Sequence, residues 1–126
     1  IATLEHPAIV PLYDFGEDGG QPYIIMRLMT GGSLADRLKK GPLSPTEAAR
    51  IMVRLAPALD YAHSKNVVHR DLKPGNILFD SNNEPYISDF GIARLTSGGG
   101  ATRGVTGSGI VGTPGYMSPE QARGEK

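Results

Sequence analysis

The chain has no cysteine and no tryptophan, no excess of charge of either sign, and no long apolar run. Without cysteine there is no disulfide and no thiolate metal site, which fits a reducing compartment. Thirteen Lys and Arg balance thirteen Asp and Glu. That balance gives no electrostatic reason to expect nucleic acid or an anionic membrane as partner. No stretch approaches the roughly 20 apolar residues that span a bilayer, and no signal peptide is visible. At 126 residues with 39% hydrophobic side chains, the chain is one domain at most and can bury only a modest core. It begins with Ile and ends Gly-Glu-Lys, and reads as a piece of a longer protein.

Turn-forming residues are plentiful: 17 Gly and 10 Pro, concentrated between apolar segments. Ile9 to Phe15 and Tyr23 to Leu28 read as two strands, joined through Glu17-Asp18-Gly19-Gly20 into an antiparallel hairpin. After Thr30-Gly31-Gly32, Ser33 can cap a short helix from Leu34 to Lys40, closed by Gly41 and Pro42. Ser44-Pro45-Thr46-Glu47 has the form of a capping box with Pro at the first helical position, and opens a longer helix to about Ser64. Ala48, Ile51, Met52, Leu55, Leu59 and Ala62 recur at helical spacing and predict its buried stripe, while Pro57 predicts a kink. Two short strands follow, Ile77 to Phe79 and Pro85 to Ser88, around the turn Ser81-Asn82-Asn83-Glu84. The Gly-, Ser- and Thr-rich segment from Leu95 to Gly112 reads as a long loop, functional or mobile.

The densest chemistry lies in His69-Arg70-Asp71-Leu72-Lys73-Pro74-Gly75-Asn76 and, after the second hairpin, Asp89-Phe90-Gly91. Phosphoryl transfer needs a carboxylate near the attacking hydroxyl, a cation on the moving phosphate and oxygen ligands for magnesium. Asp71 fits the first need, Lys73 the second, and Asn76 and Asp89 the third. Singly, these are a turn or cap Asp, a solvated Lys, a turn Asn and a strand-end Asp. Their spacing as a set is what carries the assignment.

At these residues the chain resembles the eukaryotic-like (Hanks-type) protein kinases, in particular their bacterial Ser/Thr branch. Leu4-Glu5-His6-Pro7-Ala8-Ile9-Val10 is similar to the segment that joins the regulatory helix to the fourth strand. Gly112-Thr113-Pro114-Gly115-Tyr116-Met117-Ser118-Pro119-Glu120 is similar to the substrate-binding loop and its closing Ala-Pro-Glu, with Ser118 in place of Ala. The resemblance implies an α+β, two-lobe kinase fold in partial form. Residues 1–28 would be the small-lobe remnant and hinge, and residues 29–126 the large-lobe portion with catalytic loop and activation segment. It implies ATP and Mg2+ as cofactors, a Ser- or Thr-bearing protein as substrate, and a cytoplasmic setting. Asp71 would be the base and Lys73 the phosphate ligand. Thr113 would bond near both, and Asn76 and Asp89 would hold the metal. Met26 falls at the gatekeeper, Arg27 to Met29 at the hinge that pairs with adenine through its backbone, Ser33 at the ribose and Leu78 beneath the base. Arg27 departs from the acidic residue common there. His69 and Phe90 resemble members of the stacked column that aligns active kinases, and Glu120 the carboxylate that pairs with a later Arg. Arg70 resembles the arginine that receives a phosphorylated activation loop, which makes Thr106 and Ser108 the expected phosphorylation sites, modified in trans between two copies.

Three family parts have no counterpart among these residues: a Gly-rich loop over the phosphates, the lysine that anchors them, and its Glu partner. Gly98-Gly99-Gly100 follows the metal-binding turn and cannot be that loop. The expectation is therefore a kinase as the parent and an inactive isolated piece. A pseudokinase or docking module is the alternative, and the upstream lysine would discriminate. A small-molecule kinase of the aminoglycoside phosphotransferase type fits less well, because those resemble His-Gly-Asp and lack the segment from Gly112 to Glu120.

Overall fold

The computed structural model describes residues 4–90 and 112–124, an α+β arrangement of two small antiparallel sheets and three helices among those residues. Strands β1 (Leu12–Asp18) and β2 (Gln21–Met26) form the first hairpin, with Phe15 opposite Ile24 and Asp18 opposite Gln21. Its turn is shorter than expected. Gly19 and Gly20, at φ 56° and 81°, turn the chain by themselves, so Glu17 and Asp18 stay in the strand. Two consecutive left-handed residues match the twist of the flanking strands, and glycine adopts that conformation without a Cβ penalty. β1 also begins later than expected. Ile9 leaves this hairpin and bridges Ile87 instead, with Val10 N–H donating to the Ile87 carbonyl (2.9 Å) and Ile87 N–H to that of Ala8 (2.9 Å). β2 stops at Met26, before the 81% exposed Leu28.

Helix α1 (Leu34–Leu38) starts at a reciprocal cap. The Ser33 hydroxyl accepts from Asp36 N–H (3.1 Å) and the Asp36 carboxylate accepts from Ser33 N–H (3.3 Å). Lys39 and Ser33 hold the exposed Asp36 carboxyl down to about 2. Helix α2 (Pro45–Ser64) is capped by the Ser44 hydroxyl, which accepts from Glu47 N–H at 3.2 Å. Here the expected box is half formed, because the Glu47 carboxylate turns towards Arg37 (3.9 Å). The helix stays continuous through Pro57. The carbonyl that Pro57 leaves without its helical donor belongs to the exposed Val53, where water can satisfy it. The buried stripe is Ile51, Leu55, Ala58 and Ala62. Ala48 and Leu59 flank it half-buried, and Met52, at 61% exposure, lies outside it, one residue off the line that faces the core.

Strands β3 (Ile77–Phe79) and β4 (Pro85–Ile87) pair antiparallel, with Leu78 opposite Tyr86. Their turn is organised by the Asp80 carboxylate, which accepts from Asn82 N–H (2.9 Å) and Glu84 N–H (3.0 Å). α1 packs on β3 and α2 on β4. Between them lies the core: Ala8, Ile9, Leu34, Ile51, Leu55, Ala58, Phe79 and Ile87. Helix α3 (Pro119–Ala122) is a single capped turn. Among the described residues, no helix is long and apolar enough to cross a membrane.

The segment before α1 is laced to β3. Gly31 N–H donates to the Phe79 carbonyl (2.8 Å), Phe79 N–H to that of Gly32 (2.9 Å), and Ser33 bridges Leu78. A Cβ on Gly31 would meet the Asp80 carbonyl oxygen at 2.6 Å and Phe79 Cβ at 2.7 Å, whereas one on Gly75 would meet nothing nearer than 3.8 Å. Gly31→Ala is therefore expected to destabilise the chain by about 1–3 kcal/mol, as overpacking does, and Gly75→Ala to leave it within about 0.5 kcal/mol. Urea denaturation of the two variants measures the difference.

Candidate active site

The loop from His69 to Asn76 is fixed from beneath by the buried imidazole of His69. Its Nδ1 accepts from Asp71 N–H (3.2 Å), so the ring proton sits on Nε2, which donates to the Ser88 carbonyl at 2.8 Å. Phe90 meets the same ring edge-on, centroids 4.7 Å apart. Two non-glycine residues here hold positive φ, Arg70 at 68° and Asp89 at 63°. Such backbone costs on the order of 1–3 kcal/mol and persists only where surrounding contacts enforce it. At Arg70 those contacts come from the 112–124 segment. Gln121 Nε2 donates to the Arg70 carbonyl, and Gly112, at φ 136°, passes so close that a Cβ would lie 3.0 Å from that oxygen.

Four side chains converge above this loop. Thr113 Oγ1 donates to Asp71 Oδ1 (2.7 Å) and accepts from Lys73 Nζ (2.8 Å), and Lys73 Nζ is also 2.9 Å from Asp71 Oδ2. Asn76 Nδ2 donates to the Asp71 carbonyl (2.8 Å) and approaches its carboxylate (3.4 Å). Partial burial pushes the Asp71 carboxyl up, but hydrogen bonds from Thr113, Lys73 and Asn76 outweigh this and hold it below the usual carboxylate range. Asp71 is thus ionised at neutral pH, with its oxygens aimed by three donors.

Both acceptors facing Asn76 demand its NH2 group, which fixes the amide orientation and leaves Oδ1 to serve as a ligand. Asp89 reaches the same neighbourhood through Ser88, whose Oγ lies 3.2 Å from the Asn76 carbonyl oxygen and 3.1 Å from Asp89 Oδ2. One amide oxygen and one exposed carboxylate are hard donors that suit magnesium, which keeps several waters and shares phosphate oxygens. Among the described residues, no group of three or more His, Cys, Asp or Glu could hold a metal ion.

The other expected contact residues lie on the path from β2 to α1. Met26 ends β2 opposite Leu12, and Arg27 continues the pairing through its N–H to the Pro11 carbonyl (3.0 Å). Met29 is half-buried in the connection. Ser33 and Leu78 are bridged neighbours, although the Ser33 hydroxyl is already engaged in capping α1, donating to Asp36 Oδ2 at 2.7 Å. The Arg70 side chain is exposed beside the loop, and Glu120 is exposed. Gly91, the Leu95 to Gly112 loop apart from Gly112 itself, and the expected phosphorylation sites Thr106 and Ser108 lie outside the described residues.

The whole chain, residues 1–126, matches the family model described as "Protein kinase domain". The chain belongs to the protein kinase family. Among curated kinases it is 47% identical over 124 residues to the serine/threonine-protein kinase PknD of Mycobacterium tuberculosis, covering 98% of this chain and 18% of that protein. It is 43% identical over 129 residues to PknB of Mycolicibacterium smegmatis, covering 98% of this chain and 20% of the relative. It is 41% identical over 130 residues to a probable serine/threonine-protein kinase of Streptomyces coelicolor, SCO3848, covering 99% and 19%. The chain thus spans about a fifth of the length of the relatives it matches.

Two residues of this kinase segment were missed by sequence reasoning. Ser88 links Asn76 to Asp89, and its one signal is a hydroxyl closing an otherwise apolar strand. Gln121 holds Arg70 across 51 positions, and nothing in its local sequence announces that.

Because its folded pKa lies below the ordinary value of about 3.9, Asp71 stabilises the folded chain above that pH, and the contribution disappears as pH falls through the lower folded value. Thr113→Ala removes one of the donors responsible. The variant is expected to show an Asp71 carboxyl titrating nearer the ordinary value and a smaller stability difference between neutral and acidic pH, read by carbon-detected NMR titration and by thermal melts from pH 2 to 7.

Proposed function

We propose that the segment is the catalytic centre of a protein serine/threonine kinase, which moves the γ-phosphoryl group of ATP to a Ser or Thr hydroxyl. The observation that carries this reading is the closed contact of Thr113 with Asp71 and Lys73 across 40 or more positions. It joins the expected base, the expected phosphate ligand and the substrate-binding loop in one hydrogen-bonded unit. Asp71, ionised and aimed, orients the substrate hydroxyl and takes its proton as the oxygen attacks. Lys73 puts a cation beside the transferring group. Thr113 holds both partners in register and shapes the place where the hydroxyl arrives. Asn76 and Asp89 would hold magnesium, which supplies neutralising charge to the phosphates when bound with ATP. Met26, Arg27, Met29, Ser33 and Leu78 line the expected nucleotide seat, with residues 1–28 as small-lobe remnant and hinge and 29–126 as large-lobe portion. ATP as donor favours a cytoplasmic setting for the reaction, whether or not the parent is membrane-anchored. Arg70 would receive a phosphate on Thr106 or Ser108, added by a second copy of the kinase, and so order the loop that carries it.

Because these residues include no Gly-rich loop and no phosphate-anchoring lysine, the 126-residue chain alone should bind Mg-ATP only weakly and transfer nothing. Titration calorimetry on this chain is expected to give no saturation at micromolar ATP, and a micromolar dissociation constant would overturn the point. In an active kinase that carries the segment, Asp71→Asn should lower kcat by about 10²–10⁴-fold with little change in the KM for ATP. Steady-state phosphorylation of a Ser/Thr peptide checks both values.

A further inference from the structure

We infer that the Arg27 side chain is a positioning residue. It pins the start of the nucleotide-contacting connection to the β3–β4 hairpin and thereby presets the backbone of residues 28–30. The inference rests on the kinase reading above for what that backbone would contact, but not for the anchor itself.

Arg27 is the first residue past β2, and its guanidinium reaches residues more than 50 positions away. Nη1 donates to Tyr86 Oη (3.2 Å), Nη2 lies 3.5 Å from Asp80 Oδ2, and the guanidinium carbon stands 5.2 Å from the Tyr86 ring centroid. The Tyr86 hydroxyl in turn donates to Asp80 Oδ2 at 3.3 Å. Arg27, Tyr86 and Asp80 thus close a three-membered ring of contacts. Asp80 and Tyr86 are 5% and 8% exposed. The other oxygen of Asp80 is occupied by the backbone of its own turn, so Oδ2 is the one directed at Arg27. Among the described residues Arg27 is the cation that pairs with this buried carboxylate. A buried carboxylate stripped of its cation is costly, which makes the link hard to break.

The connection is fixed at its far end as well, by the Gly31–Phe79 and Phe79–Gly32 backbone bonds. Leu28, Met29 and Thr30 therefore span two points tied to the same small hairpin, with their own N–H and C=O groups outside both sheets. A span held at both ends has little conformational freedom left to lose when a ligand's edge pairs with it. Such preorganisation raises affinity without adding a contact. Removing the anchor should weaken nucleotide binding while leaving the Asp71, Lys73 and Thr113 cluster as it is.

The test has two independent arms. In the first, backbone order parameters are measured by NMR on the 126-residue chain. Residues 28–30 are expected near 0.85 in the unmodified chain and below about 0.6 in Arg27→Met, with residues 77–79 unchanged. Equal values at 28–30 in both would overturn the anchor. If Arg27→Met loosens the whole chain, Tyr86→Phe, which deletes only a hydroxyl, carries the same comparison. In the second arm, the full-length protein bearing the segment is assayed for phosphorylation of a Ser/Thr peptide. Arg27→Met should raise the KM for ATP by about tenfold with kcat within about twofold, Arg27→Lys should recover part of the loss, and Arg27→Met with Asp80→Asn should be no worse than either single change. A fall in kcat with an unchanged KM would overturn the role. Absence of transfer by the unmodified kinase would instead defeat the kinase reading and leave the order-parameter result to stand on its own.

Discussion

The β3–β4 hairpin, two three-residue strands around one turn, is what the rest of the described structure leans on. Phe79 and Ile87, at opposite ends of its ladder, are completely buried, and the backbone of β3 and β4 has bonds to give on both outer edges. Ala8 to Val10 joins one edge through Ile87, and Gly31 to Ser33 joins the other through Leu78 and Phe79. Helices α1 and α2 cover its two strands. With the ladder extended on both sides, neither strand presents the open edge that so short a sheet would otherwise expose. Fully burying a side chain the size of Phe79 contributes about 1.5–3 kcal/mol.

The same hairpin delivers the chemistry. Its first strand begins directly after Asn76, and its second ends directly before Ser88 and Asp89, so antiparallel pairing alone returns the two metal-ligand candidates to one end. Ser88 then bonds Asn76, and its carbonyl accepts a hydrogen bond from His69 Nε2, whose ring accepts from Asp71 N–H at Nδ1. The loop from His69 to Asn76 is anchored on one side by Ser88, just past β4, and on the other by Thr113 and Gln121. The left-handed turns at Arg70 and Asp89 mark where the chain bends to meet that geometry.

Element types and most motifs were legible because they depend on local chemistry: caps at Ser33 and Ser44, glycines at the first turn, helical spacing through Ile51, Leu55 and Ala62. Errors arose where tertiary contacts decided. Ile9 has the composition of a β1 residue, yet it pairs with Ile87, which no local pattern encodes. Glu47 satisfies the capping-box spacing but is drawn to Arg37. Met52 has helical phase within a residue of the core line and still faces outwards. At the site, Asp71, Lys73, Asn76 and Thr113 could be named from the motif, whereas Ser88 and Gln121 act over distances that only folding reveals. Arg27 is the instructive case. Read as a departure from an acidic norm, it lost its side chain from consideration, though that side chain has a buried carboxylate waiting for it.

The β1–β2 hairpin is built differently. Its strands make their contacts chiefly with each other, and Tyr13, Phe15, Tyr23 and Ile25 stay largely open to solvent. Among the described residues it meets the remainder at the neck formed by Pro11 and Arg27. A ribbon joined so narrowly can unzip without disturbing the helices, so the chain should not denature as one cooperative block. Under pulling force or protease attack, the ribbon would yield as a separate early event, and the α1–α2 body around Phe79 would give way later.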